Sequence, residues 1–248
     1  MIACPAPGRM ALLLAAAFAL ALPAAAQAVP EAPPEGVPAP DPALPDAPPV
    51  EAAKPQAPPA GPACEIHIFP AERFSSFTTG WLGGGLIEGA IYADRDKDNR
   101  TQMAASLDPV IQAEALAALD LAGLLGLAPA RIVAHEAPLD RKTINKVRTR
   151  RADSASPCYA ELIVADMLFQ QNVLLGRTLQ TLFMVRDFGP RADAPRIAKS
   201  WGGNPLKRFP PKEGEDVEAA AQELVDTFTR NFEEFAANAK RSLARAAR

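Results

Sequence analysis

Thirteen prolines fall between residues 29 and 63, and a stretch so interrupted cannot build a helix or an interior strand, because every proline lacks a backbone donor. Its apolar residues are mostly alanine, and Glu31, Glu35, Asp41, Asp46 and Glu51 face Lys54 alone. It therefore cannot bury a core and reads as an extended, disordered Pro/Ala-rich linker. In polyproline geometry, at ~3.1 Å per residue, it reaches on the order of 100 Å. A packed fold is thereby confined to residues 64–248.

Ahead of the linker, Arg9 is the only charge before Glu31, and an apolar run from Met10 to Leu22 follows it. That run is short for a membrane span, which needs about 20 residues. Pro23 ends it, and Ala26-Gln27-Ala28 supplies the small-residue pattern of a cleavage site. Residues 1–28 are expected to be a signal peptide, and the mature chain to be periplasmic or secreted. An uncleaved short anchor, with the proline-rich stretch as its stalk, is the alternative. A lipid anchor would need a cysteine just after the apolar core, whereas Cys4 precedes it and the next is Cys64.

Export would leave Cys64 and Cys158 where disulfides persist, with one internal pairing open to them. Each opens a β-rich run, EIHIF and YAELIVADM, so adjacent strands could bring their Cα atoms within the roughly 4.4–6.8 Å a bridge requires. A Cys64–Cys158 disulfide is expected, with two buried thiols as the alternative.

The 185 residues from 64 to 248 hold 24 basic and 24 acidic side chains. A formal charge of zero argues against a general nucleic-acid binder and leaves room only for a local patch. Ile66–Phe69 reads as a strand stopped by Pro70. Asp108-Pro109 marks a helix start, and Leu116, Leu119 and Ala122 continue its stripe until Gly123, Gly126 and Pro129. Ile132–His135 reads as a second strand. Tyr159–Phe169 and Leu179–Phe188 read as a hairpin with a loop of about ten residues, Leu162 and Val164 lying opposite to Ile163 and Met167 as in strands covered on both faces. A short strand over Arg196–Ser200 is admitted. Val217, Ala221, Leu224, Val225, Phe228, Phe232 and Phe235 recur at helical spacing in a C-terminal helix. The fold class is α/β, with α+β as the alternative: one domain over 64–248, with a mixed sheet of about four to five strands covered by helices in the order β-α-β-β-β-(β)-α.

This order, with the run QNVLLGRTLQTLFMVRDFG at 171–189 as paired strands around a glycine turn, resembles the periplasmic α/β domain of envelope-assembly proteins such as the curli secretion lipoprotein and the N-terminal part of TolB. The resemblance implies an accessory or assembly role and transfers no site residues.

From Arg141 to Arg151 six of eleven residues are basic and none is acidic: Arg141, Lys142, Lys146, Arg148, Arg150 and Arg151. Such a segment suits an anionic partner, an envelope phosphate or an acidic protein face. A loop at Lys199–Lys212 carries Trp201 and Phe209 among glycines and prolines, the makings of a docking anchor. Both also read as structure: a solvated loop in the first case, aromatics folded back on the sheet in the second. Gly80, Gly83, Gly84, Gly85 and Gly89 read as a loop entering a helix or as an oligomer contact. No Lys-Ser/Thr follows them, which excludes a phosphate loop.

Asp94, Asp96 and Asp98 imitate half a calcium loop, but Asn99 occupies the required glycine position and Ala105 the closing glutamate, so a solvated turn is expected. His67 and His135 lack metal-ligand spacing and read as core or edge histidines. No metal or cofactor is expected. These readings favour a non-enzymatic envelope domain that binds another envelope component without spanning the membrane. The alternative is a hydrolase of envelope glycans or peptides using Glu161, Asp166 and Asp187.

Overall fold

The computed structural model describes residues 64–81, 86–189 and 194–246; the signal and linker readings lie outside them. The elements are β1 (Cys64–Phe69), β2 (Phe74–Thr79), α1 (Leu86–Ser106), α2 (Pro109–Ala117), α3 (Leu121–Leu125), β3 (Ala130–Ala134), α4 (Arg141–Ile144), β4 (Cys158–Asn172), β5 (Gly176–Gly189), β6 (Arg196–Leu206) and α5 (Val217–Arg245). The six-stranded mixed sheet runs β3-β1-β4-β5-β6, with β2 also on β4. The α/β class of the sequence reading holds, with one more strand and two more helices before β3 than its element order allowed.

β4 is long enough to take two parallel partners end to end, β1 along Cys158–Ile163 and β2 along Met167–Asn172. The junction is sealed by a side chain. Gln112 of α2, fully buried, accepts from the Ala71 amide at 2.8 Å and donates to the Ala71 carbonyl at 2.9 Å, supplying the bonds that a strand neighbour would give. Opposite it β4 bulges between Val164 and Asp166. One extra residue, Ala165, flips the alternation, so Met167 joins Leu162 and Val164 in the main core rather than opposing them.

That core lies between one sheet face and the helices. The α5 stripe of Leu224, Phe228, Phe232, Phe235, Ala236, Ala239 and Leu243 is buried on it, and Phe183 meets the rings of Phe228, Phe232 and Phe235 at centroid separations of 5.4–5.6 Å. Gly202 lets α5 approach β6: a Cβ there would stand 2.0 Å from the Asn231 carbonyl oxygen. Asn231 in turn donates to the Leu179 carbonyl at 2.9 Å and the Thr181 hydroxyl at 3.1 Å. Asp108 caps α2 by accepting from the Val110 and Ile111 amides, and Gly126 ends α3 at φ 68°, a left-handed turn that costs glycine little.

The expected solvated turn at Asp94–Asp98 is instead the middle of α1. Asp96 is buried and accepts from the Thr78 hydroxyl at 2.7 Å, the Ser76 hydroxyl at 2.8 Å and the Thr78 amide at 3.2 Å, joining helix to β2. Gly83, Gly84 and Gly85 of the glycine-rich reading lie outside the described residues. Gly89 is in α1 with open space where its Cβ would be.

Cys64 and Cys158 face each other in the β1–β4 register, Cα atoms 4.6 Å apart, and form the disulfide. No described helix is long and apolar enough to cross a membrane.

Candidate functional site

The second sheet face has a covered half and an open half. Over the first runs the segment from His135 to Pro157, which includes α4, with Asp140 as N-cap accepting from the Lys142 amide at 3.0 Å. A small apolar cluster of Phe69, Ile144, Ile163 and Met184 holds it to the sheet, and buried charge completes the attachment. Glu161 and Arg186 are cross-strand partners, and Arg186 Nη1 donates to Glu161 Oε2 at 2.8 Å, both side chains no more than 2% exposed. Arg151 Nε stands 3.5 Å from the same oxygen. Its amide donates to Glu161 Oε1 at 2.8 Å and its Nη2 to the Ile144 carbonyl at 2.8 Å. The Tyr159 hydroxyl donates to Glu161 Oε1 at 3.1 Å and accepts from the Ala152 amide at 3.1 Å. Burial pushes the Tyr159 hydroxyl up and the Arg151 guanidinium down from their ordinary pKa values, Glu161 partly restoring the latter.

This geometry corrects the reading of the basic segment as one outward patch. Arg151 points inward. Arg150 lies 5.1 Å over the Tyr159 ring and donates to the Ser156 carbonyl at 3.1 Å, so both bind the chain itself. Lys142, Lys146 and Arg148 are exposed; the Arg141 side chain lies outside the described residues.

Beside this network the two histidines meet, which their separation of 68 residues concealed. His67 Nδ1 is 2.9 Å from His135 Nε2, and His67 Nε2 is 3.1 Å from Glu65 Oε2. With Nε2 donating to Glu65, the Nδ1 of the same ring is left to accept from His135 Nε2. Glu65 also accepts from Ser154 and pairs with Arg131. These bonds, the Ser154 hydroxyl first, then Arg131 and His67, hold its carboxyl at a pKa of about 2. Burial, and then the facing His67, push His135 below the usual histidine range. Ser154 donates to Glu65, a carboxylate held at a pKa of about 2 and so a weak base for activating a hydroxyl.

Glu161, nominated for acid–base work, is engaged by two arginines. Asp187 is engaged by Arg196 and by the Gly189 amide at 2.9 Å. Asp166 is buried at the bulge opposite Leu182. A cavity of about 170 Å³ beside the disulfide reaches Glu65 and Asp187, below the ~300–1,000 Å³ usual for small-molecule sites.

The open half carries Phe77 of β2, Leu168 and Gln170 of β4, Thr178, Gln180 and Leu182 of β5, and Trp201 of β6, placed on one face by the registers. Phe77 is 47% exposed and Trp201 43%, Leu168 and Leu182 are half-buried, and Gln180 donates to Gln170 at 2.9 Å. A depression of about 330 Å³ lies between Phe77, Gln170 and the hairpin tip at Leu175. Trp201 is thus on a strand and not in a loop. Phe209 is corrected: at 1% exposure it is core, edge-on to Phe169 at 5.4 Å. Lys199, also on this face of β6, reaches Asn145 Oδ1 at 3.3 Å, which sets the exposed cations of the cover beside the open half.

No family model matches the chain, and no curated protein is similar to it. A solved structure described as an uncharacterized protein is similar at 11% identity, over 72% of this chain and 89% of that one, with a TM-score of 0.24, a likeness too slight to carry an argument. Fold and site together define an α/β domain with a disulfide-bonded mixed sheet, one of whose faces is, among the described residues, half lidded and half bare.

Proposed function

We propose that this is a non-catalytic binding domain of an exported protein, and that the bare half of the second sheet face is where it docks a protein partner in the cell envelope. The observation that carries the reading is the exposure of Phe77 and Trp201 with Leu168 and Leu182 between them, on a face that no helix of the described residues covers. At ~4.8 Å between strands and ~3.3 Å along them, Phe77 and Trp201 stand roughly 20 Å apart, a patch of interface size that extends beyond the depression at Phe77. The face residues of β2, β4, β5 and β6 in this half include no exposed carboxylate, while Lys199 lies on this face and reaches Asn145 of the cover, whose segment carries the exposed Lys142, Lys146 and Arg148. The partner it suits therefore presents apolar side chains flanked by acidic ones. The envelope-assembly role implied by the sequence resemblance belongs to the same proposal.

Export is supported by the disulfide, which persists in oxidising compartments, and by the signal-like N-terminus. The hydrolase alternative is disfavoured because Glu161 and Asp187 are committed to arginines.

A photo-crosslinking phenylalanine analogue at position 77, in the intact envelope, is the test. The expected result is a protein adduct of discrete mass that is absent with the analogue at Asp226, on the exposed side of α5. Equal labelling at both positions, or none at 77, would sink the proposal.

A further inference from the structure

β6 ends the sheet, and among the described residues it pairs with β5 alone. Its free edge is closed in one half and open in the other. The Gly203 amide donates to Glu234 Oε2 at 2.9 Å, so the backbone groups of Gly203 point away from β5. By the two-residue alternation of an antiparallel ladder, which runs without a break from Arg196 to Leu206, so do those of Ile197, Lys199, Trp201 and Pro205. Pro205 has no donor, and beyond it Glu223 takes the Lys207, Arg208 and Phe209 amides at 2.7–3.0 Å. These are the blunting devices expected on an edge strand. Nothing comparable protects Ile197, Lys199 and Trp201, whose outward amides and carbonyls meet no partner among the described residues.

We infer that a second copy of this chain pairs here, β6 against β6 in antiparallel register about a two-fold axis at Lys199. The three open positions are centred on Lys199, so only this register uses every free donor and acceptor on both strands: Ile197 opposite Trp201 of the other copy, Lys199 opposite Lys199, and Trp201 opposite Ile197, two hydrogen bonds to each pair. The arrangement is isologous, as a two-fold dimer must be. It also gives two of the most exposed apolar side chains of the strand, Ile197 at 54% and Trp201 at 43%, an aromatic–aliphatic cross-strand partner, a favourable pairing. Lys199 against its copy is the unfavourable element, eased because its ammonium is drawn aside to Asn145. The joined sheets would carry two bare faces side by side. The inference shares Trp201 with the binding proposal but rests on the backbone edge of β6, so loss of the dimer and loss of the adduct at position 77 are read separately.

The test is the oligomeric state of the full chain by sedimentation equilibrium over a concentration series. The parent is expected to dimerise reversibly. Ile197→Lys with Trp201→Lys sets lysine against lysine in both pairs and should raise the dissociation constant at least about tenfold, whereas Ile197→Glu with Trp201→Lys sets opposite charges together and should recover most of that loss. Lys199→Pro removes an outward donor that β5 does not use and should also yield monomer while the thermal melt stays cooperative. A parent that is monomeric at every concentration, a dimer indifferent to the lysine pair and to Lys199→Pro, or a charge swap that restores nothing would overturn the inference.

Discussion

Replacing Glu161 by glutamine removes one buried negative charge and turns the oxygen that accepts from Arg186 into an amide NH2, a donor facing a donor. The amide oxygen can still accept from the Tyr159 hydroxyl and the Arg151 amide, now at 3.1 and 2.8 Å, and the volume is conserved. What is lost is the counter-charge of two guanidinium groups, those of Arg186 and Arg151, whose side chains are 2% and 6% exposed. Removing one partner of a buried ion pair costs about 3–5 kcal/mol, most of it the desolvation of the charge left behind. For a domain of this size each kcal/mol is worth roughly 2–4 °C in melting temperature, so Glu161→Gln should melt about 10 °C or more below the parent. Urea unfolding at neutral pH, followed by circular dichroism, reads the loss as a lower midpoint at unchanged slope. Changing Glu161, Arg186 and Arg151 together to methionine should cost less than the single change, since no charge is then stranded. A Glu161→Gln protein within about 1 kcal/mol of the parent would refute the stranded-charge argument. One that gained stability would return Glu161 to the status of a strained catalytic carboxylate.

Two further outcomes follow from named contacts. Gly202→Ala drives a methyl group to within 2.0 Å of the Asn231 carbonyl, so α5 must lift from β6; a loss of about 3 kcal/mol or more is expected, and an unchanged melt would mean that α5 does not sit where described. Glu65 has a folded-state pKa of about 2 against 4.5 for an ordinary glutamate. The stability it contributes is therefore present above about pH 4.5 and lost as the pH falls toward 2, up to about 3 kcal/mol, less because Arg131 is 64% exposed and screened. Glu65→Gln should flatten that part of the stability–pH curve, and an identical acid slope in the two proteins would contradict the assignment.

The C-terminal helix, the Asp108 cap, the disulfide and the central hairpin were legible because each rests on a local rule of period, capping or pairing. β2 escaped, and α1, whose start the glycine-rich reading anticipated, escaped in its length, because their buried faces are polar: Ser76 and Thr78 on one side satisfy Asp96 and Asn99 on the other, so neither segment shows an apolar period. The hairpin loop read as ten residues is three, Val173–Leu175, since Gln170–Asn172 and Gly176–Thr178 are strand despite their polarity. β6 was legible over Arg196–Ser200, and its second half resembled a loop for a related reason. Its Gly202 answers to α5 and its Pro205 to the free edge, and neither demand exists until the tertiary structure does. The inward turn of Arg150 and Arg151 was likewise invisible, because a run of cations gives no sign of a buried glutamate that lies on another strand.

That glutamate also explains where the cover stops. On the second face the ionic network of Glu65, Glu161 and Arg186 lies in the half nearest the disulfide, and each of these groups must be paired or shielded once buried, which the segment carrying Arg151 and Ser154 does. Farther along β4 and β5 the same face changes to Gln170, Thr178 and Gln180, which water can satisfy without a lid. An antiparallel face left to solvent would ordinarily be polar throughout. Here Phe77, Leu168, Leu182 and Trp201 stand among the amides, so solvent exposure accounts for half of this composition and leaves the apolar half without a purpose in the isolated domain. If Phe77→Ser and Leu182→Thr together leave the urea midpoint unchanged while abolishing the adduct formed by a photo-crosslinker at Gln180, on the same face and away from the β6 edge, those side chains serve a partner. If instead they lower the midpoint by several tenths molar, they serve the fold, and the docking face loses its strongest support.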